Sequence, residues 1–344
     1  MSTQNIPATG VPAARVYRGK ALEAEHQAAI AVVDASGRLT HCLGDPEAVF
    51  MTRSSIKPFQ ALPLILTGGF DHFGFTEEHL AIMCASHSGD DLHRDVVMSC
   101  LAKSGSSPAD LKCGSGRPLG METRSEFPLH GEEKDPTRSD CSGKHAGFLA
   151  LTRFLGVPVE QYLDPESKGQ LMVRRSVAER CEYPVEQINV GIDGCSAPNY
   201  SLPLRNLAIG FKNLVTLQAP EQPVRDALRR ARDAMRRHPI LVAGEGRLDY
   251  DFMRAFPGNA VSKIGAEAIQ GIGFEDPPLG IAVKVLDGNP RALAPICVAI
   301  LKQLGIIERM DNHPALVRWE SPEVRNARGL VTGRIAVDFR LRAA

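Results

Sequence analysis

The chain has 344 residues, enough to bury a substantial core in one large domain or two. Hydrophobic residues make up 43% and charged residues 23%, as in ordinary globular proteins. Lysine plus arginine and aspartate plus glutamate both count 40, so the formal net charge is zero. This balance excludes a strong general attraction to nucleic acid or to an anionic membrane.

The sequence also predicts where the protein resides. The longest apolar stretch, residues 294–307, is interrupted by Lys302 and is too short for a membrane span. The N-terminus lacks the basic segment and apolar run of a secretory signal. The eight cysteines follow no disulfide framework, so we expect reduced thiols. A cytoplasmic protein that binds neither membrane nor nucleic acid is therefore expected.

The predicted elements begin with a loose polar arm over residues 1–12. The apolar run 28–33 and residues 39–43 predict two strands joined by a turn. A helix is predicted from Pro58 to Thr67, because proline suits a first helical turn and glycines follow its end. Two further helices, over 77–85 and 90–103, flank a break in the pattern.

The second part of the chain is predicted to be richer in helices. Residues 114–140 contain many glycines, prolines and charges and predict a long surface loop, which is often functional. Helical spacing then covers residues 142–154, 166–181, 203–217, 223–238 and 292–304. Strands are predicted over residues 187–192, 280–286 and 330–339. Strands at both ends predict one α+β domain over residues 1–344, with a sheet that joins the termini.

Two serine–lysine combinations indicate acyl-transfer chemistry. Ser54 and Lys57 are three residues apart and share one face of a helical turn, where a neutral lysine can take the serine proton. A simpler interpretation is that Ser54 caps the helix and Lys57 is solvated. Ser86 and the segment Lys263-Ile264-Gly265 follow in the order typical of penicillin-recognising enzymes. Ile264 departs from that pattern, which has a hydroxyl residue there.

A second group of residues indicates a metal or substrate site. Cys141-Ser142-Gly143-Lys144-His145 and the later Cys195 offer sulfur and nitrogen donors that zinc accepts, although buried apolar cysteines would explain them equally. Lys144 becomes a ligand only if a metal lowers its pKa. Asp193, at the end of an apolar strand, is placed to hold a substrate ammonium group or to bond its own turn.

Five longer motifs carry a resemblance to a known family. They are Arg53-Ser54-Ser55-Ile56-Lys57-Pro58-Phe59-Gln60, Cys84-Ala85-Ser86-His87-Ser88-Gly89, Cys141-Ser142-Gly143-Lys144-His145-Ala146-Gly147, Gly191-Ile192-Asp193-Gly194-Cys195-Ser196-Ala197-Pro198 and Ser262-Lys263-Ile264-Gly265-Ala266-Glu267. They resemble the rhizobial-type (class 3) L-asparaginases over nearly the whole chain, apart from Ala268, where glycine is expected. The resemblance implies a serine β-lactamase/glutaminase-like α+β fold, with an antiparallel sheet flanked by helices and an additional helical region. It also implies a homodimer.

The resemblance further implies roles for individual residues. Ser54 corresponds to the nucleophile with Lys57 as its partner, and Ser86 with Lys263 forms a second pair. Zinc is expected on Cys141, Lys144 and Cys195. Asp193 corresponds to a residue that holds the substrate's amino-acid head, and Arg53 and His145 have supporting roles in substrate binding. A zinc ion held by two thiolates is electron-rich, so we expect it to position substrate without being strictly required for the chemistry.

The predicted function is hydrolysis of L-asparagine to L-aspartate and ammonia. Two alternatives remain open from the residues alone. One is another serine hydrolase, either of the penicillin-recognising type or a glutaminase. The other is a non-catalytic module that binds a metal or an amino acid, with Ser54 acting only as a helix cap. Which serine attacks is also open at this point, and we predict Ser54.

Overall fold

The protein's structure is a computed structural model that describes residues 10–124 and 135–344. Its strands are β1 (Val11–Arg18), β2 (Ala21–Asp34), β3 (Leu39–Leu43), β4 (Val49–Met51), β5 (Val190–Ile192), β6 (Pro198–Pro203), β7 (Ala260–Gly265), β8 (Ile269–Phe274), β9 (Leu279–Val285), β10 (Glu323–Arg325), β11 (Val331–Val337) and β12 (Arg342–Ala343). Its α-helices are α1 (Lys57–Leu66), α2 (Gly69–His72), α3 (Glu77–Met83), α4 (Asp91–Lys103), α5 (Leu119–Arg124), α6 (Ser142–Phe154), α7 (Lys168–Arg180), α8 (Leu204–Thr216), α9 (Gln222–Arg237), α10 (Pro239–Val242), α11 (Leu248–Ala255), α12 (Leu293–Gln303) and α13 (Val317–Glu320).

An antiparallel sheet of nine strands organises the described residues. Seven strands follow one another in the order β10-β11-β1-β2-β9-β8-β7, and β3 pairs with both β2 and β12. β1 pairs with β11 in the register Val16↔Ile335, so the two ends of the chain lie side by side. This confirms the prediction that one sheet joins the termini. A separate small sheet has the order β4-β6-β5.

The central strand β2 separates two apolar cores. Ala29, Ala31 and Val33 face one cluster of buried side chains, and the alternate residues Ala28, Ile30 and Val32 face the other. Side chains alternate across a strand, so a strand that is buried on both faces has a continuous apolar sequence. This explains why residues 28–33 contain no polar side chain.

Helices cover both faces of the sheet. On one face α8 lies against β2, β8 and β9, and behind it α1 packs against α6, α7 and α9. On the other face α12 contacts β1, β9 and β11. The fold is therefore α+β, with an antiparallel sheet flanked by helices and an additional helical region, as predicted. Among the described residues, no helix has the length and apolar character needed to cross a bilayer.

The predicted helices agree with the structure to within two residues at each end, but five strands of the sheet, β1, β7, β8, β10 and β12, were not predicted. β1 begins at Val11, so the last residues of the predicted arm lie in the sheet, whereas residues 1–9 lie outside the described residues. β7 and β8 contain lysine, serine, glutamine and glycines in place of an alternating pattern. These residues serve contacts with other elements, and tertiary contacts override local strand preference.

Candidate active site

A serine hydroxyl between two buried lysines is at the centre of the candidate site. Ser86 lies in the loop between α3 and α4, and its Oγ is 3.0 Å from Lys57 Nζ and 2.9 Å from Lys263 Nζ. The serine is 4% exposed and both lysines are fully buried. The expected Ser54–Lys57 hydrogen bond is not formed, and Ser54 Oγ has no hydrogen-bond partner within residues 10–124 and 135–344. Lys57 is thus joined to Ser86.

The two amino groups are anchored in the same way. Lys57 Nζ donates to the carbonyl of Ala85 at 2.6 Å and lies 3.9 Å from the Asp140 carboxylate. Lys263 Nζ donates to its neighbour's carbonyl, Ile264 O, at 2.6 Å and lies 3.8 Å from Asp249. Each amine therefore has a carbonyl acceptor and a nearby carboxylate. Each amine also forms a hydrogen bond with the Ser86 hydroxyl.

Two glycines of the motifs permit this close assembly. A Cβ on Gly265 would lie 2.9 Å from Thr52 O and 3.1 Å from Ser55 N, which is too close for most side chains. A Cβ on Gly143 would lie 2.1 Å from Ile82 O. Because these positions lack a side chain, β7 approaches the turn that contains Ser54, and α6 approaches α3. Lysines from α1 and β7 can then meet at one serine.

Burial has a direct effect on the proton affinity of Lys263. Desolvation lowers the pKa of its amino group to about 7, a change that the Asp249 carboxylate opposes and the positive charges of Lys57 and Arg247 reinforce. A lysine with a pKa near neutrality is divided between its neutral and charged forms at physiological pH. Lys263 can therefore accept a proton from a hydroxyl without a large energetic cost.

Ser54 occupies a different position, on the wall of a cavity of about 410 Å³. This volume is in the range of small-molecule sites. Ser86, Lys57 and Lys263 are not among the lining residues. The wall also includes part of the loop that was predicted over residues 114–140, with Asp140 at its end. Four other lining residues were singled out from the sequence, namely Arg53, Cys141, Asp193 and Cys195.

An ion pair between Arg53 and Asp193 forms one charged part of the cavity wall. Asp193 Oδ1 accepts from Arg53 Nε at 2.9 Å and from the Gly194 N–H at 2.7 Å. Arg53 has a φ of 49°, a left-handed conformation that is uncommon for a residue with a side chain. Asn199 stabilises it, because its side chain accepts from Arg53 N at 2.9 Å, donates to Arg53 O at 3.0 Å and donates to Asp193 Oδ2 at 3.2 Å.

A sulfur-containing group adjoins the cavity. Cys141 and Cys195 are both buried and unpaired by disulfides, and Lys144 Nζ donates to Cys195 Sγ at 3.0 Å. A hydrogen bond from the Cys141 thiol holds the pKa of Cys195 far below its usual range, so Cys195 carries the thiolate. Burial alone would lower the pKa of Lys144, but the two sulfurs outweigh it and raise that pKa. The amine is therefore an ammonium ion beside the thiolate.

His145 does not contact the cavity directly. It is fully buried, and its Nδ1 lies 2.9 Å from the hydroxyl of Tyr162. Burial lowers the pKa of its imidazole, so the ring is neutral near pH 7. His145 Nε2 is buried without a hydrogen-bond partner in the described part of the chain. The expected supporting role of His145 in substrate binding therefore stays a prediction.

Three polar residues of the site were not predicted from the sequence. Asn199 holds the Arg53 turn, Asp249 lies beside Lys263, and Arg247 donates to the carbonyl oxygen of Ser86. None stands in a recognisable motif. Asn199 comes just after the motif that ends at Pro198, at the start of a strand, and a polar residue in that fully buried strand is the one signal that could have identified it.

The fold and the site together define a class of protein. A serine hydroxyl that contacts lysine amines, next to a polar cavity, is typical of α+β hydrolases that act by acyl transfer. Residues 14–337 match the family model described as L-asparaginase II. The chain therefore belongs to the L-asparaginase II family, which confirms the resemblance found in the sequence. The comparison with curated protein sequences gives no match.

Several solved structures are similar to this chain at a low level. Mglu in its glutamate form has a TM-score of 0.40 and 17% identity, over 81% of this chain and 61% of Mglu. A β-lactamase (Mb2281c) from Mycobacterium bovis has a TM-score of 0.37 and 15% identity, over 80% of this chain and 94% of the other. An octameric penicillin-binding protein homologue from Pyrococcus abyssi has a TM-score of 0.39 and 12% identity, over 85% and 76%. The chain thus spans less than two thirds of Mglu, and similarity at this level says nothing about activity.

The Asn199 contacts predict a specific loss of stability. Asn199→Asp removes the donor to Arg53 O and Asp193 Oδ2 and places a second carboxyl group next to Asp193. We expect the free energy of unfolding to fall by about 2 kcal/mol or more, because a buried acceptor loses its partner and like charges meet. Urea unfolding followed by the fluorescence of the single tryptophan, Trp319, measures this change. The exposed residue Asn189, changed to aspartate, is the control and should alter stability by less than about 0.5 kcal/mol. Equal stability of the two variants would contradict the role given to Asn199.

Proposed function

We propose that the protein hydrolyses the side-chain amide of L-asparagine to L-aspartate and ammonia. The observation that carries this proposal is the Ser86 hydroxyl held between Lys57 and Lys263 at 3.0 and 2.9 Å. It supplies proton transfer immediately behind a small cavity that Ser54 lines. Amide hydrolysis needs a nucleophile, a proton acceptor and a proton donor for the departing ammonia. Membership of the L-asparaginase II family supports asparagine as the substrate.

The charges of the cavity wall suit a free amino acid. The Arg53 guanidinium can bind the α-carboxylate of asparagine, since arginine matches the planar shape of a carboxylate. Asp193 Oδ1 is occupied by Arg53 and Gly194, but Oδ2 accepts only from Asn199 among the described residues. Oδ2 can therefore accept a further hydrogen bond from the α-ammonium group. Binding at both groups would direct the side-chain amide towards Ser54.

In the proposed reaction Ser54 Oγ attacks the amide carbon. Its position on the cavity wall supports this role, whereas Ser86 is not exposed to the cavity. Among the described residues Ser54 Oγ contacts neither lysine in the free protein, so we infer that substrate binding turns this hydroxyl towards Lys57. Its proton then passes to the Lys57–Ser86–Lys263 group, in which neutral Lys263 is the final acceptor. Collapse of the tetrahedral intermediate returns that proton to the leaving nitrogen, and ammonia departs. Water then hydrolyses the aspartyl ester on Ser54 with the same lysines as base and acid.

We also propose that Cys141, Cys195 and Lys144 would hold zinc. Two buried sulfurs on the cavity wall and the adjacent amine of Lys144 form a donor set that zinc accepts once the Lys144 ammonium and the Cys141 thiol have lost their protons. Within the described residues, no group of three histidine, cysteine, aspartate or glutamate side chains is arranged for a metal, so Lys144 is needed in this set. Bound zinc would supply a positive charge that orients a substrate oxygen. The homodimer stays a prediction.

The reaction itself is tested by ammonia release. Wild-type protein should release ammonia from L-asparagine, and Ser54→Ala should lower kcat by at least about a thousandfold, because the attacking oxygen is lost. Ser55→Ala is the matched control, since Ser55 Oγ is bonded to Thr52 O at 2.6 Å. It should retain activity within about tenfold of wild type. Hydrolysis of nitrocefin without asparagine hydrolysis would favour the penicillin-recognising alternative, and absence of both reactions would favour a binding module.

Covalent labelling identifies the attacking serine. Ser86→Ala should also lose activity, because the lysines lose their shared hydroxyl. Kinetics therefore do not separate the two serines. A diazoketone analogue of asparagine should label wild-type protein on the peptide that contains Ser54, as read by mass spectrometry. Label on the peptide with Ser86 would instead make Ser86 the nucleophile and leave Ser54 as a wall residue.

The pKa of Lys263 predicts the pH dependence of the reaction. Only neutral Lys263 accepts a proton, and its pKa is about 7. The neutral fraction grows as the pH rises, so kcat/KM for asparagine should increase about tenfold per unit below pH 7 and level off above it. A Lys263→Arg variant should lose this dependence together with most of its activity, because arginine stays protonated. A wild-type profile that is flat from pH 5.5 to 8.5 would contradict the assignment of Lys263.

Removal of the metal should weaken the binding of asparagine more than it slows the hydrolysis of bound asparagine. If zinc only positions substrate, chelated protein should show a KM for asparagine about tenfold higher and a kcat within about threefold of the zinc-loaded protein. Cys195→Ser should reproduce the higher KM and bind less zinc by atomic emission, because a hydroxyl is a poor zinc ligand. Unchanged KM and kcat after chelation would exclude the positioning role, and a loss of kcat alone would point to a direct role in catalysis.

A further inference from the structure

A buried carboxylate is attached to the strand that carries Lys263. Asp249, in the first turn of α11, is 1% exposed. Its Oδ1 accepts from Ser262 Oγ and from Gln270 Nε2, both at 2.8 Å, and its Oδ2 accepts from the Ile264 N–H at 2.8 Å. Three hydrogen bonds satisfy this carboxylate away from solvent and hold it in one orientation beside Lys263.

Asp249 accepts hydrogen bonds from both of the residues that flank Lys263 in the chain. Ser262 and Ile264 flank the lysine on β7, which is the edge strand of the sheet. Asp249 binds the Ile264 N–H, and the Ile264 carbonyl in turn accepts from Lys263 Nζ at 2.6 Å. Asp249 Oδ2 also lies 3.8 Å from that nitrogen. One carboxylate thus fixes the backbone that aims the amine and supplies the adjacent negative charge.

We propose that Asp249 is a positioning residue for Lys263, which it orients towards Ser86 and stabilises in the protonated form that the proton transfer produces. This inference rests on the proposed function of Lys263 as proton acceptor. Neither the motifs nor the family resemblance indicated this residue. Asp249 acts through Lys263 and lies outside the cavity that Ser54 lines.

Other charged groups also face Lys263, and their signs show why Asp249 is needed. These groups are Lys57 on α1, Arg247 just before α11, Asp140 just before α6, and Cys84 and His87 in or before the Ser86 loop. Lys57 and Arg247 are positive and oppose a second positive charge. The Asp140 side chain is 33% exposed, so water screens its charge, whereas that of Asp249 is 1% exposed. Asp249 is therefore the stronger stabiliser of a proton on Lys263.

The test is the substitution Asp249→Asn, which removes the charge with little change of shape. Without the carboxylate, Lys263 should hold its proton less well, and its titration midpoint should fall by about one pH unit or more. Protein labelled with [6-13C]lysine reports this midpoint by NMR, with the Lys263 signal assigned through Lys263→Arg. The acid limb of kcat/KM for asparagine should move to lower pH by the same amount. The plateau should fall by about threefold to tenfold for each unit by which the midpoint falls, because a weaker base accepts the proton less readily.

Ser262→Ala is the matched control. It removes one hydrogen bond to Asp249 but leaves the charge, so it should lower stability while the Lys263 midpoint moves by less than about 0.3 pH unit. If Asp249→Asn does not fold, Asp249→Glu replaces it, keeping the charge but displacing it by one methylene. The Glu variant should keep the Lys263 midpoint within about 0.5 pH unit and lose at least about tenfold in kcat.

The outcomes separate this inference from the proposed function. An unchanged Lys263 midpoint in Asp249→Asn would overturn the inference even where wild-type protein hydrolyses asparagine normally, and so would a wild-type kcat in Asp249→Glu. A wild-type protein without asparaginase activity would overturn the proposed function. The NMR midpoint would then still show whether Asp249 controls the charge of Lys263.

Discussion

The sharing of one buried hydroxyl by two lysine amines is the constraint on which the rest of the site depends. Two ammonium groups so close together in a region without water would repel strongly, so at least one amine must be able to lose its proton. Desolvation lowers the pKa of Lys263 to about 7 and makes that possible. Two backbone carbonyls and two carboxylates lie around the amines and compensate the positive charge that is buried there.

The site consists of two connected parts with different requirements. In front, Ser54, Arg53 and Asp193 line a cavity whose size and charges suit a small polar molecule. Behind it, Lys57, Ser86 and Lys263 are enclosed by the protein, where hydrogen bonds are strong and proton affinities are far from their values in water. In the proposed reaction, this separation would allow substrate to exchange with solvent while the proton-transfer groups keep one geometry.

Local backbone features hold these parts in contact. The left-handed conformation of Arg53 costs conformational energy, and the side chain of Asn199 offsets that cost by binding both polar groups of the Arg53 backbone. Gly265 removes the side chain that would separate β7 from the turn with Ser54. Asn199 and Gly265 act on the backbone: Asn199 fixes the Arg53 turn, and Gly265 allows β7 to lie close to that turn. The proposed chemistry depends on both placements.

Much of the architecture could be predicted because it depends on local chemistry. Helix α6 begins and ends at the predicted residues, since its apolar positions repeat at helical spacing. The serines, lysines and cysteines of the motifs do gather in one region. Their connections were harder to predict: Ser54 and Lys57 share a turn, but the lysine bonds to Ser86. A lysine side chain has four flexible bonds, so the nearest buried acceptors decide where it points.

The sequence by itself determined the fold class, the longer helices and the residue types that converge on the site, because periodicity and motif spacing are properties of neighbouring residues. The shorter helices, among them α11 with Asp249, were not predicted. Only the tertiary structure decided which serine the lysines share, which carboxylate faces Lys263, and that Asn199 holds the Arg53 turn. Ser86 and Lys263 are 177 residues apart, and Lys263 and Asp249 lie on different elements. Contacts between such residues, and the proton affinities that result, arise only when packing removes water from between them.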